Sequence, residues 1–175
     1  MNVFRPAAER STAMNLARTF GQTTIFWTLL IVLVPWLINT GERALGLPGF
    51  TAQPGIAIAV FIVMASVNLG SGVVMAVIGR GTPFPADTAR ELVVRGPYRF
   101  LRNPMAFGGL GVGFAVALWL GSWSIIGYVV AGGIAWHLIA RPMEERDLEA
   151  RFGDSYRHYH ACVRCWIPRI SPYRR

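Results

Sequence analysis

Apolar residues in this chain fall into four nearly unbroken runs, Phe20–Ile38, Gly55–Ile78, Met105–Leu120 and Trp123–Ala140. The first two are long enough, as helices rising about 1.5 Å per residue, to cross a hydrocarbon core of about 30 Å. The last two, of sixteen and eighteen residues, are marginal in length and are separated only by Gly121-Ser122. That spacing predicts a tight hairpin of tilted helices that still crosses. The expected fold is therefore an all-α integral membrane protein with four transmembrane helices, at 20–38, 55–78, 105–120 and 123–140. The cytoplasmic loop and a helical tail over 141–175 complete the single domain 1–175, and residues 1–19 form an interfacial or frayed arm.

Composition supports this over a soluble helical bundle: 53% of residues are apolar and mean hydropathy is +0.41. The N-terminus does not read as a cleaved signal peptide, because its apolar run is nineteen residues long and no small-x-small site follows. Charge orients the spans. All seventeen basic residues are arginine, and sixteen of them precede span one, lie between spans two and three, or follow span four; Arg43 alone lies on the other side. The positive-inside bias predicts cytoplasmic N- and C-termini, with the net charge of +8 facing anionic membrane lipids. Nucleic acid is excluded as a partner, because the arginines sit at span ends rather than on a free basic arm. The exclusive use of arginine suggests a GC-rich bacterial genome and hence a bacterial inner membrane. Trp27, Trp36, Trp119 and Trp123 lie near span ends, as interfacial anchors do.

The connecting loop Gly79–Pro104 is long, and loops of that length without structure of their own tend to be functional or disordered. Asp87-Thr88 is suited to cap a short helix running to Arg95. Asn103-Pro104 should end the loop, with Pro104 in the first turn of span three, where a missing N–H costs nothing. After span four comes Arg141-Pro-Met-Glu144-Glu145. At i+3 and i+4, Arg141 neighbours both carboxylates on a continuing helix. Read locally this is an exposed ion pair on a charged helix, with Asp147 and Glu149 on its solvated face. Carboxylates at a membrane edge are costly without a cationic or hydrogen-bonding partner, and a ligand bearing positive charge and hydroxyls would supply one.

Other patterns carry less. The glycines from Gly108 to Gly113 never complete a dinucleotide-binding fingerprint, and Gly109 with Gly113 reads as a small-residue pair for helix packing. His158, His160, Cys162 and Cys165 have the look of zinc ligands, but two reduced thiols are the preferred reading and no metal is expected. His137, inside span four, is either a hydrogen-bonded core histidine or part of a substrate pocket.

Three linked blocks carry a resemblance. They are Gly96-Pro-Tyr-Arg-Phe-Leu-Arg-Asn-Pro-Met-Ala-Phe-Gly108, the pair Glu144-Glu145, and Phe152-Gly-Asp-Ser-Tyr156-Arg-His-Tyr159 followed by Ile167-Pro168. Over Gly81–Arg169 the chain resembles the isoprenylcysteine carboxyl methyltransferase and phospholipid methyltransferase superfamily. It departs from the usual pattern at Asn103, often His, and at Ala106, usually aromatic. The resemblance implies S-adenosylmethionine as cofactor, with S-adenosylhomocysteine as product. It places Tyr98, Arg99, Arg102, Asn103, Pro104 and Met105 on one wall of the pocket with Gly108, and Glu144 and Glu145 on the other. Tyr156 and Tyr159 would close it. Arg141 is expected to meet an anionic acceptor, which with Glu144 makes the catalytic pair, and no general base stands out. The acceptor is expected to be lipid-like or small and hydrophobic, and to enter from the bilayer: foremost an isoprenylcysteine-like or other lipidic carboxylate, alternatively a phospholipid amine or a hydrophobic thiol. A reductase and a small transporter or scaffold are the rival readings. Oligomeric state is left open.

Overall fold

The computed structural model describes residues 5–174. Among these residues it is all-helical, with one isolated bridge between Pro6 and Thr88. Six α-helices follow in order: α1 (Thr12–Phe26), α2 (Val34–Leu45), α3 (Pro54–Val77), α4 (Pro104–Leu120), α5 (Trp123–Ala135) and α6 (Arg141–Cys162). Wider π turns over Trp27–Leu33 and Trp136–Ala140 join α1 to α2 and α5 to α6, so α1 runs on into α2, and α5 into α6 as far as a kink at Gly153. Three helices are long and apolar enough to cross a membrane: Thr12–Leu45, Pro54–Val77 and Trp123–Cys162. The fourth, α4, is apolar but only 17 residues long. Large side chains such as Leu29, Val32, Trp36, Ile62, Ile134 and Leu138 stand exposed along the rods. Water would penalise so continuous an apolar surface, and lipid would not.

The expected spans thus lie within helices, but the arm does not end where the sequence suggests. Helix α1 begins at Thr12, with the Ser11 side chain accepting from Met14 N. Residues 12–19 are therefore its first two turns, and the part of the arm over residues 1–4 lies outside the described residues.

Helices α3 and α4 pack most intimately, because glycine lets the backbones meet. A Cβ on Gly108 would stand 2.7 Å from Met64 O and 2.8 Å from Asn68 N. Asn68 Nδ2 also donates to Met105 O at 2.7 Å, a bond that water cannot contest in an apolar layer. The glycine pairing expected from sequence divides between two neighbours. Gly109 has only an ordinary contact with Asn68 of α3, and Gly113 faces Val129 of α5.

The two ends of the bundle differ. At one, Gly121 and Ser122 turn the chain from α4 into α5, Phe50 N donates to Gly121 O, and Glu42 accepts from Ser124 N. The other end gathers the N-terminal segment, the loop 79–103 and α6. The expected helix from Asp87 to Arg95 is absent. Single 3-10 turns occur at Pro85–Asp87 and Gly96–Arg99, and the chain between them is irregular. Asp87 is no cap. Its buried carboxylate takes Arg10 Nη1 at 2.6 Å and Arg18 Nε at 2.9 Å, while Thr88 pairs with the backbone of Arg5 and Ala7. Two guanidinium partners outweigh what a cap contributes, so the loop is strapped to α1 instead of coiling.

Candidate active site

The site lies at that crowded end, between the loop and the first turns of α6. Asn103 caps α4, its Oδ1 accepting from Ala106 N at 3.0 Å, and Pro104 occupies the first turn as expected. The same amide turns its Nδ2 to Glu144 Oε2, 3.0 Å away on α6. Next to it, Arg102 Nη1 stands 2.8 Å from Glu145 Oε1. Arg141 Nη1 reaches that oxygen at 3.7 Å, and His160 Nε2 lies 3.7 Å from Oε2. The acidic pair is therefore not a surface ion pair but the counterpart of the Arg102-Asn103 block.

Burial shapes the chemistry. Glu144 is pushed up to about 7, first by loss of water and then by the charges of Glu145 and Asp147, against the lowering bond from Asn103. The Tyr98 phenol is held well above its ordinary range by burial and by the charge of Glu144. Burial likewise raises Tyr156 and Tyr159, so all three are neutral donors. The Cys165 thiol, also raised by burial, to about 11, is neither a thiolate nor an obvious nucleophile. Among the described residues no group of three or more His, Cys, Asp and Glu is placed to hold a metal.

Helix α6 carries both Glu144-Glu145 and the tyrosines because it bends. Gly153 has φ 51° and ψ −128°, a conformation that side chains resist. The bend brings Tyr159 onto the turn before Asn103, where its hydroxyl donates to Tyr98 O at 2.7 Å. Tyr156 and Tyr159 pack with Val163, Tyr173 and Leu92.

The cavity joins most of the expected residues: Tyr98, Arg102, Asn103, Arg141, Glu144, Glu145, Tyr156 and Tyr159 all line it. Four others stand apart. Arg99 turns away to donate to Tyr173 O, and Pro104, Met105 and Gly108 serve the start of α4 and its packing on α3. The structure adds an apolar lining from Met75, Leu92, Val93, Trp136 and Leu148. Of these, Leu148 sits at helical spacing from the acidic pair and was accessible from sequence; the rest are brought in by the fold. His137 Nδ1 accepts from Trp166 Nε1 at 2.8 Å, which makes it a tie between span and tail.

Asp147 is also not solvent-facing as its sequence context suggests. It is buried and paired with Arg151 at 3.0 Å. Arg151 in turn donates to Thr88 Oγ1 at 2.9 Å and to Ala89 O, so it bolts α6 to the opposite wall of the cavity.

A family model described as phospholipid methyltransferase matches residues 52–155, more than half of the chain, and includes both halves of the acidic and basic counterpart; the chain belongs to that family. It is 31% identical over 98 residues to methanethiol S-methyltransferase 2 of Bradyrhizobium diazoefficiens, covering 55% of this chain and 35% of that protein. Against methanethiol S-methyltransferase of Mycobacterium tuberculosis it is 36% identical over 73 residues, covering 41% of this chain and 28% of the relative. The match thus spans about a third of the length of these curated relatives.

Proposed function

We propose that this member of the phospholipid methyltransferase family is an integral membrane methyltransferase using S-adenosylmethionine, and that its acceptor is a small hydrophobic thiol. The observation that carries the reading is the apposition of Arg102-Asn103 with Glu144-Glu145 across one cavity. The residues suit the cofactor. Arg102 Nε and Nη1 are buried without a well-aligned hydrogen-bond acceptor, despite the short ionic distance to Glu145, and are matched to a carboxylate. Glu145 and Glu144 accept from an ammonium or from ribose hydroxyls. Binding replaces the Arg102–Glu145 contact with contacts to the ligand, which limits its net cost.

When bound, S-adenosylmethionine supplies an electrophilic methyl group on a sulfonium. The protein's part is alignment and exclusion of water, and positioning of this kind supplies about 7–11 kcal/mol. Trp136, Leu148 and Met75 keep the reacting centre dry. Glu144, poised near neutrality, would take the proton of the acceptor's S–H group. Of the acceptors the sequence leaves open, the relatives' names favour the thiol; the base speaks only against a carboxylate acceptor, which has no use for one. The sixteen-to-one split of arginines along the sequence supports cytoplasmic termini in a bacterial inner membrane.

The test uses purified protein in detergent with S-adenosylhomocysteine by calorimetry, then methyl transfer to a short alkanethiol read by gas chromatography. Micromolar binding and thioether formation are expected. No binding by folded protein overturns the cofactor claim; binding with methylation of phosphatidylethanolamine instead of thiol overturns the acceptor.

A further inference from the structure

A second concavity lies behind the loop, separated from the active-site cavity by Glu91 and Leu92, which line both. Four arginines border it: Arg80, Arg95, Arg99 and Arg174. Among the described residues Glu91 is the only carboxylate that lines it, and it faces Arg80 at 3.4 Å. Among the described residues Arg95 and Arg174 have no ionic partner. Gathering like charges without compensation is unfavourable, and it makes the groove a focus of positive potential.

The groove is built rather than incidental. Arg99 Nε donates to Tyr173 O at 2.8 Å while Tyr173 N donates to Arg99 O at 2.9 Å, so one guanidinium is held with its two terminal nitrogens uncommitted among the described residues. Arg80 has φ 52°, the one non-glycine residue at positive φ among those described. That strained conformation directs the chain around the rim and persists only where neighbouring contacts hold it. Here they are the donations of Arg90 N and Glu91 N to Gly79 O.

Apolar residues also line the groove. Val77 and Ile78 close the apolar run of α3 at the groove, and Val73, one turn earlier on the same face, is 37% exposed. A basic rim thus tops an open aliphatic track at the level where a membrane-crossing helix ends. We infer that the groove binds the phosphate of an anionic phospholipid, with an acyl chain along Val73 and Val77. Arg95 and Arg174 meet the phosphate oxygens, and Arg99 contributes its terminal nitrogens in a fork that matches them.

The test is native mass spectrometry of the protein in neutral detergent, titrated with phosphatidylglycerol or with phosphatidylcholine of the same chains. The wild type should retain phosphatidylglycerol at roughly tenfold lower concentration, since each arginine at an anionic surface adds a several-fold preference. The double variant Arg95→Gln/Arg174→Gln should lose that preference with an unchanged unfolding temperature. Arg43→Gln, at the other end of the bundle, should keep it, and Arg95→Lys/Arg174→Lys should keep most of it. Equal retention by wild type and the glutamine variant overturns the site. Displacement of the lipid by millimolar inorganic phosphate, with no preference between lipids, assigns the groove to a soluble phosphate and overturns the lipid.

Discussion

Arg151 is where a single change should do most to the site without touching its lining. Its side chain is 18% exposed and that of Asp147 7%, so the pair lies far closer to the buried limit than to the surface one. Exposed pairs contribute about 0–1 kcal/mol, whereas removing one partner of a buried pair costs about 3–5 kcal/mol because the other charge is stranded. Arg151→Leu also leaves Ala89 O and Thr88 Oγ1 without their donor. About 2–4 kcal/mol is expected, or a fall in melting temperature of several degrees at roughly 2–4 °C per kcal/mol for a chain of this size. Asp147→Leu alone strands the guanidinium, which can still reach water and the loop, and should cost less. The double variant strands neither charge, so its loss should be smaller than the sum of the singles by more than about 1 kcal/mol. Thermal unfolding in one detergent across the four proteins measures this, and hydrogen exchange over residues 88–93 should quicken in Arg151→Leu. Additive losses within about 0.5 kcal/mol would refute the brace.

The acidic pair and its neighbours give three further expectations. Glu145→Gln should weaken S-adenosylhomocysteine binding roughly tenfold to a hundredfold, the worth of a charge-assisted contact, while the exposed Glu149→Gln changes it by less than about twofold; equal calorimetric effects would reduce the pair to a surface charge cluster. Glu144, raised from 4.5 to about 7, holds its proton in the folded state when the unfolded chain has lost it. The protein should therefore lose stability as pH rises from about 4.5 to about 7 and level off above, Glu144→Gln should remove that slope, and thiol methylation should rise as pH passes through about 7; an unchanged slope in the variant defeats the assignment. Cys162, part-exposed at the basic end, should not react with an impermeant thiol reagent added to intact cells, and labelling there would invert the proposed orientation.

Much of the fold was legible because apolar runs in a membrane protein report directly on helices, and Gly121-Ser122 announces its turn. The loop was not, since the partners that unwind it are remote: Asp87 is claimed by Arg10 and Arg18, some seventy residues away. Asp147 misled for the same reason. Its local sequence is that of a solvated face, and only the packing of α6 against Ala89 buries it. The acidic pair and its basic counterpart could be named from sequence, whereas their pairing, Asn103 with Glu144 and Arg102 with Glu145, depends on helix rotation that no pattern encodes.

That the two blocks meet at all follows from length. Asn103 caps α4, which climbs 17 residues to the turn at Gly121. The chain returns through the 13 residues of α5 and the 5 of the π turn, after which α6 begins. Two arms of nearly equal length, joined by a two-residue turn, restore the chain to its starting level, so the first turn of α6 must stand beside the cap of α4. The separation of 41 residues between Asn103 and Glu144 is therefore the there-and-back distance across an apolar layer plus one helical turn. Lengthening one arm by two residues would raise Glu144 by about 3 Å and rotate it by over half a turn. The hairpin fixes where the acidic pair can stand, and the kink at Gly153 then folds Tyr156 and Tyr159 back over it.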